Sequence, residues 1–104
     1  MNAPKHLQPT TRKWWREVES TYLLESHQRR LLTLAGEAWD RCQQAREILG
    51  AEGIVAKDRY GSPKAHPAVA IERDSRLAFA RLVRELALED GETPDSRPPR
   101  PRGR

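Results

Sequence analysis

The chain has 104 residues, 37% hydrophobic and 33% charged, with a mean hydropathy of −0.86 and a net charge of +4. A chain of this size suggests one domain, and it buries only about 60–65% of the surface its unfolded form exposes, so it gains from association with copies of itself. No apolar run approaches the ~20 residues of a membrane span, no signal peptide is expected, and the single cysteine, Cys42, rules out an internal disulfide and suits a reducing compartment.

The positive charge sits on the ends. Residues 1–16 carry Lys5, Arg12, Lys13 and Arg16 and no acid, and residues 95–104 carry Arg97, Arg100, Arg102 and Arg104 against Asp95, whereas the middle is slightly acidic. That placement favours a polyanion or an acidic partner reached by flexible arms. The plainer reading is that basic ends keep a small protein in solution.

In chain order, residues 1–9 contain two prolines and no apolar period, and read as a loose arm. A first helix is expected over residues 10–21, started by Thr10 or Thr11 as a cap and carrying Trp14, Trp15 and Val18. The longest helix is expected over about residues 26–49, with Gly50 and Gly53 as stop signals. At 100° per residue, Leu31, Ala35, Ala38, Cys42, Ala45 and Leu49 gather on one side, and Leu32, Leu34, Trp39 and Ile48 widen the apolar arc to about 200°. That width implies two packing partners, the third helix and a second subunit.

The stretch from Asp58 to Asp74, DRYGSPKAHPAVAIERD, reads as a joint. Gly61-Ser62 is a turn signal, and Pro63 confines any strand after it to an edge. GIVAK before it has strand-favouring residues. His66 is pushed to an extended conformation by the following proline, and Pro67 suits the first position of a helix. The joint is therefore a short β-hairpin or an ordered loop between two antiparallel helices. The third helix, expected over 67–88, places Ile71, Ala78, Phe79, Leu82 and Leu86 on one face and Arg73, Arg76, Arg81 and Arg84 roughly opposite, with Leu77 and Leu88 among them. A row of arginines on a helix back is commonly a solvated face, with phosphate contact the alternative. Residues 89–104 are rich in Pro, Gly and charge and read as a disordered or polyproline-like tail. The fold class expected is mainly α: three helices, with a long antiparallel helical hairpin.

Nothing converges for chemistry. His6, His27 and His66 lie in three separate segments, there is no C-x-x-C, and no phosphate-cradling glycine loop is present, so neither a metal nor a cofactor is expected. Cys42 falls on the apolar arc, where a thiol is inert. His66 alone is a poor base without a nucleophile and an orienting group. Trp14 and Trp15 suit stacking on single-stranded bases, or else split between the core and its edge.

Three short motifs occur in order: G-x-x-K-x-H-P-A at Gly61, Lys64, His66, Pro67 and Ala68; L-x-R-E-L-x-L at Leu82, Arg84, Glu85, Leu86 and Leu88; and T-P-x-S-R at Thr93, Pro94, Ser96 and Arg97. Together with Trp15, YLLESHQRRLL and AREILGAEG, they resemble the small subunit of phage terminase over about residues 12–97. The third helix of such proteins usually ends Leu-Gly-Leu; here Ala87 stands in the glycine position, and Glu89–Glu92 lengthen the link to the last motif.

The resemblance implies a non-catalytic subunit without cofactor. Residues 10–88 would form an oligomerisation and DNA-binding domain that assembles as a ring. The ring would recognise double-stranded viral DNA and deliver it to the large terminase subunit, the ATPase and nuclease, for genome packaging in the cytoplasm of the infected bacterial host. On that footing DNA is expected at Lys5, Arg12, Lys13 and Arg16 first, at Lys57, Arg59 and Lys64 second, and at the third-helix arginines last. The subunit interface is expected at Leu32, Trp39, Leu77 and Leu88, and the large-subunit contact at Arg97, Arg100, Arg102 and Arg104. A small dimeric transcription regulator or antitoxin-like protein is the alternative. The joint between the second and third helices is much longer than a helix-turn-helix allows. A protein-only scaffold is a third reading.

Overall fold

The computed structural model describes residues 2–88 and 99–102. Its elements are α1 (Pro9–Thr21), β1 (Tyr22–Leu23), α2 (Ser26–Glu52), β2 (Val55–Lys57), β3 (Pro63–Ala65), α3 (Pro67–Leu86) and β4 (Arg100–Pro101). The mainly helical class and the antiparallel α2–α3 hairpin are as the sequence implies. Partners along the hairpin run in opposite directions: Glu52 meets His66, Arg46 meets Glu72, and Trp39 meets Phe79.

Local chemistry explains the helix ends. Proline supplies the first turn of α1, with Gln8 as its extended N-cap and no capping side chain. The threonines expected to cap it lie inside the helix; Thr11 turns inward and donates its hydroxyl to Asp40 on α2. A capping box starts α2, in which the Glu25 side chain accepts from the backbone N–H of Gln28 and Gln28 accepts from the Glu25 N–H at 2.8 Å. The helix runs through Gly50 and stops at Gly53, whose φ of 82° is the conformation glycine tolerates best. Of the two expected stops, only the second acts.

The joint is a hairpin: β2 pairs antiparallel with β3, Val55 opposite Ala65 and Lys57 opposite Pro63. At its end His66 caps α3, its Nδ1 accepting from the Ala68 N–H at 3.0 Å, while its Nε2 lies 2.9 Å from the Glu52 carboxylate. Because Nδ1 accepts, the ring proton is on Nε2 and is donated to Glu52. Both nitrogens thus fasten the joint.

Helix α1 runs antiparallel to the first half of α2. Thr11 bonds Asp40, the Trp15 indole N–H donates to the Thr33 hydroxyl at 3.2 Å, and Glu19 meets Arg29. The core gathers at this end from Ala3, Leu7, Trp15, Val18, Leu24, Leu32 and Leu86. Two stretches expected to be loose take part. In the N-terminal segment, Ala3 and Leu7 are buried, and Leu7 lies over Gly36, where a Cβ would sit 3.1 Å from a Leu7 methyl. The tail residues of β4 pair antiparallel with β1, Tyr22 opposite Pro101. The rest of the expected tail, residues 89–98 and 103–104, lies outside the described residues.

Towards the joint the hairpin is two helices only, joined through Cys42, Ala45, Ala68 and Ser75. The wide apolar arc of α2 therefore has two partners in its own chain, α3 and the α1 layer.

Candidate nucleic-acid interface

Arg12, Lys13 and Arg16 fall within about 100° of one another on α1 by helical spacing. Lys13 and Arg16 are exposed and Arg12 is half-buried. Among the described residues none of the three forms an ion pair, and neither does exposed Lys5. Their placement works against the helix. The N-terminus of a helix already carries positive partial charge, and like charges at i, i+4, as at Arg12 and Arg16, repel by about 0.2–0.5 kcal/mol. Helix stability therefore does not account for Arg12 or for its spacing from Arg16.

The β2–β3 ribbon carries Lys57, Arg59 and Lys64, all exposed. The strand register puts Lys57 and Lys64 on opposite faces of the ribbon, since Lys64 stands across from Ala56 and Lys57 across from Pro63. The turn between them is tightly held: the Asp58 carboxylate accepts from the N–H groups of Tyr60 and Ser62, and Gly61 has a φ of 80°. The Arg59 guanidinium lies 5.6 Å from the centre of the Tyr60 ring.

The α3 arginines are partly neutralised. Glu72 receives Arg46 at 3.1 Å and Arg76 at 3.3 Å, and Arg73 pairs with Asp74. Burial raises the pKa of Glu72, but hydrogen bonds from Arg46 and Cys42 and the two guanidinium charges outweigh it and leave the carboxyl more acidic than usual. Cys42 is buried, and desolvation above all pushes its thiol pKa up, with Glu72 adding to it. That is the inert thiol expected on the apolar arc.

Glu19 is a buried carboxylate between two arginines, Arg29 at 2.9 Å and Arg102 at 2.8 Å. Burial pushes its pKa up; the Arg29 hydrogen bond and the charges of Arg29 and Arg102 pull it further down, to a net lowering. Arg102 also donates to the Glu19 carbonyl at 2.6 Å, and its backbone N–H to Thr21 at 2.7 Å. The Tyr22 hydroxyl meanwhile donates to the Leu88 carbonyl at 2.6 Å. Of the arginines expected to meet the large subunit, Arg102 is thus engaged within the chain, Arg100 stands in β4, and Arg97 and Arg104 lie outside the described residues. Sequence reasoning missed Glu19 and Tyr22. The available signal was an acid on the apolar side of α1, one turn after Trp15.

The tryptophans divide as one of the two sequence readings has it. Trp15 is buried, whereas Trp14 is half-buried and opens on a cleft of about 360 Å³ lined by Thr10, Thr11, Trp14, Trp39 and Phe79. Ring centres lie 5.9 Å apart for Trp14 and Phe79 and 5.1 Å for Trp39 and Phe79. Of the residues expected at a subunit interface, Trp39 and Leu77 are exposed and Leu88 is half-buried against the core. Leu32 is fully enclosed by its own chain, in the cluster with Trp15, Val18 and Leu86, and so offers no contact surface. Leu34, Ile48 and Ile71 are exposed instead.

No group of three or more His, Cys, Asp or Glu able to hold a metal occurs among the described residues, and no described helix is long and apolar enough to cross a membrane. No curated protein and no solved structure matches the chain. Residues 12–98 match the family model described as phage terminase, small subunit. That span takes in all three sequence motifs, both sides of the α2–α3 hairpin and the α1 cations. Small terminase subunits are non-catalytic and serve viral DNA packaging alongside a large subunit. The chain belongs to the phage terminase small-subunit family.

Proposed function

We propose that copies of this chain assemble into a ring that binds double-stranded viral DNA and presents it to the large terminase subunit. The observation that carries the DNA contact is the α1 cluster: Arg12, Lys13 and Arg16 form no ion pair among the described residues, and Arg12 and Arg16 stand one turn apart as like charges. Lys5 joins this cluster, Lys57, Arg59 and Lys64 come second, and the α3 arginines, half used on Glu72 and Asp74, come last. Repetition around a ring multiplies weak phosphate contacts through effective concentration. Exposed Trp39, Leu77, Leu34, Ile48 and Ile71 support self-association, because apolar side chains left open on a small domain favour a protein partner. The Pro/Arg tail, with Arg97, Arg100, Arg102 and Arg104, is the contact for the large subunit; Arg102 leaves Glu19 when it docks.

One titration series tests this. Duplex DNA binding by the full chain is followed by fluorescence anisotropy across a salt gradient, beside large-subunit binding. Arg12→Glu, Lys13→Glu and Arg16→Glu together are expected to lower DNA affinity by more than tenfold and to flatten the salt slope, since each phosphate contact contributes about −0.9 to it. Removal of residues 95–104 is expected to weaken large-subunit binding more than DNA binding. Unchanged DNA affinity in the triple variant overturns the α1 assignment.

A further inference from the structure

We propose that the Trp14–Trp39–Phe79 cleft seats the β2–β3 ribbon of a second copy of this chain, with Tyr60 as the inserted side chain. The proposal rests on the self-assembly reading above and names the two surfaces that meet.

Among the described residues, the ribbon and Ile54 just before it have the most exposed large apolar side chains. Tyr60 is 82% exposed, Ile54 66% and Val55 58%. A stretch this apolar left in water calls for a cover. It is also stiff. The Asp58 carboxylate ties down two backbone N–H groups of the turn, and the Asp58 N–H donates to the Ser62 carbonyl at 2.9 Å. A turn already held loses little freedom on docking.

The ribbon's own chain cannot supply the cover from the cleft. Trp39 lies thirteen residues before Glu52, the last residue of α2, so the ribbon springs from the helix about 20 Å away. A ribbon seated in the cleft therefore belongs to another molecule.

Shape and charge point to a second ribbon. Three aromatic side chains wall the cleft, and Thr10 and Thr11 complete its lining. A tyrosine offers the matching pair, an apolar ring and a hydroxyl tip. Beside the cleft, and sharing Thr10 and Trp39 with it, runs a groove lined by Glu37, Asp40 and Glu47 with Arg41 as its one arginine. The ribbon brings Lys57, Arg59 and Lys64 against Asp58 alone. The groove is thus net negative where the ribbon is net positive, and the same acid rim repels the phosphates of a nucleic acid that would otherwise stack on the aromatic walls. The two surfaces differ, so the contact is heterologous, and repeating it closes a ring wherever the rotation allows. In the ring the acid groove takes up part of the ribbon's charge, and the α1 cluster stands before the ribbon as the DNA contact.

Sedimentation velocity on the full chain tests the proposal. Tyr60→Ala removes a side chain whose one described contact is Arg59, so the fold is expected to keep its circular dichroism and melting temperature. Its assembly midpoint is expected to rise at least about tenfold, the effect of losing one anchor of about 1.4 kcal/mol. In a second variant, Tyr60→Cys with Thr10→Cys, oxidation is expected to give a ladder of covalent multimers on a non-reducing gel; the cysteines are too far apart to join within one chain. Tyr60→Ala assembling like the parent chain, or an assembled double-cysteine variant giving no ladder, overturns the cleft proposal and leaves self-assembly standing. A parent chain that stays monomeric at high micromolar concentration overturns both.

Discussion

The two ends of the helical hairpin are built differently. At one end, α1 and the N-terminal segment lay a third layer over α2, and Leu7, Trp15, Val18, Leu32 and Leu86 fill the space between. At the other, α2 and α3 meet through Cys42, Ala45, Ala68 and Ser75, and Ile48, Ile54, Val55 and Ile71 stay exposed. Buried area scales with side-chain size, so most of the hydrophobic stabilisation lies at the three-layer end. The thin end holds by backbone and polar fastenings, namely the His66 cap, the Glu72 ion pairs and the ribbon ladder. A small chain can thus fill a core at one end of itself and leave apolar side chains open at the other.

That contrast breaks most readily with a core truncation at each end. Trp15→Ala is expected to destabilise the protein by about 3–5 kcal/mol, because a buried indole leaves a cavity and its hydrogen bond to Thr33 is lost. Ile71→Ala is expected to cost about 1 kcal/mol or less, since its side chain is already half in water. Equal losses in denaturant titrations would erase the distinction between the ends.

Acid sharpens it. The pKa of Glu19 is lower in the folded chain than its ordinary value of 4.5, and so is that of Glu72. Their contribution is therefore complete above that ordinary value and fades as pH falls through the lower folded one. Glu19 holds Arg102, so acidification is expected to release β4 first. Protection of the Arg102 amide, whose N–H is bonded to Thr21, is expected to be lost in acid before that of α2 amides in the core. A uniform loss of protection along the chain would contradict this.

The smallest effect concerns the end of α3. Ala87 sits at φ 52° and ψ 46°, the left-handed conformation in which a Cβ is crowded. Glycine has no Cβ to crowd there. Ala87→Gly is expected to stabilise by about 0.5–1 kcal/mol, read as a rise in melting temperature. A fall would mean that the lost methyl, which is buried, outweighs the relieved strain.

How much of this was legible depends on whether the signal was local. Gly53, Gly61, His66 and Pro67 act through their own backbone conformations, and the hairpin joint follows from them. The wide apolar arc of α2 was also real, but a helical wheel cannot say which partner covers it. Leu32 went into the chain's own core, among α1, α3 and the N-terminal segment. The N-terminal segment gave no periodicity because it contributes only Ala3 and Leu7 to the core, and its fit depends on Gly36, twenty-nine residues further on. Strand β4 is two residues long and owes its place to Glu19 and β1, which nothing within the tail announces. In the candidate interface, the cationic types and their spacing were readable from α1, whereas the unequal neutralisation of the α3 arginines required knowing that Glu72 faces Arg46 across the hairpin.

The lone thiol turns this uneven architecture into a clock. Cys42 lies where α2 and α3 touch, shielded and bonded to Glu72, so an alkylating reagent reaches it only when those helices part. Its labelling rate therefore times the breathing of the sparse half of the molecule, and any partner that clamps the two helices together slows that clock without touching the sulfur.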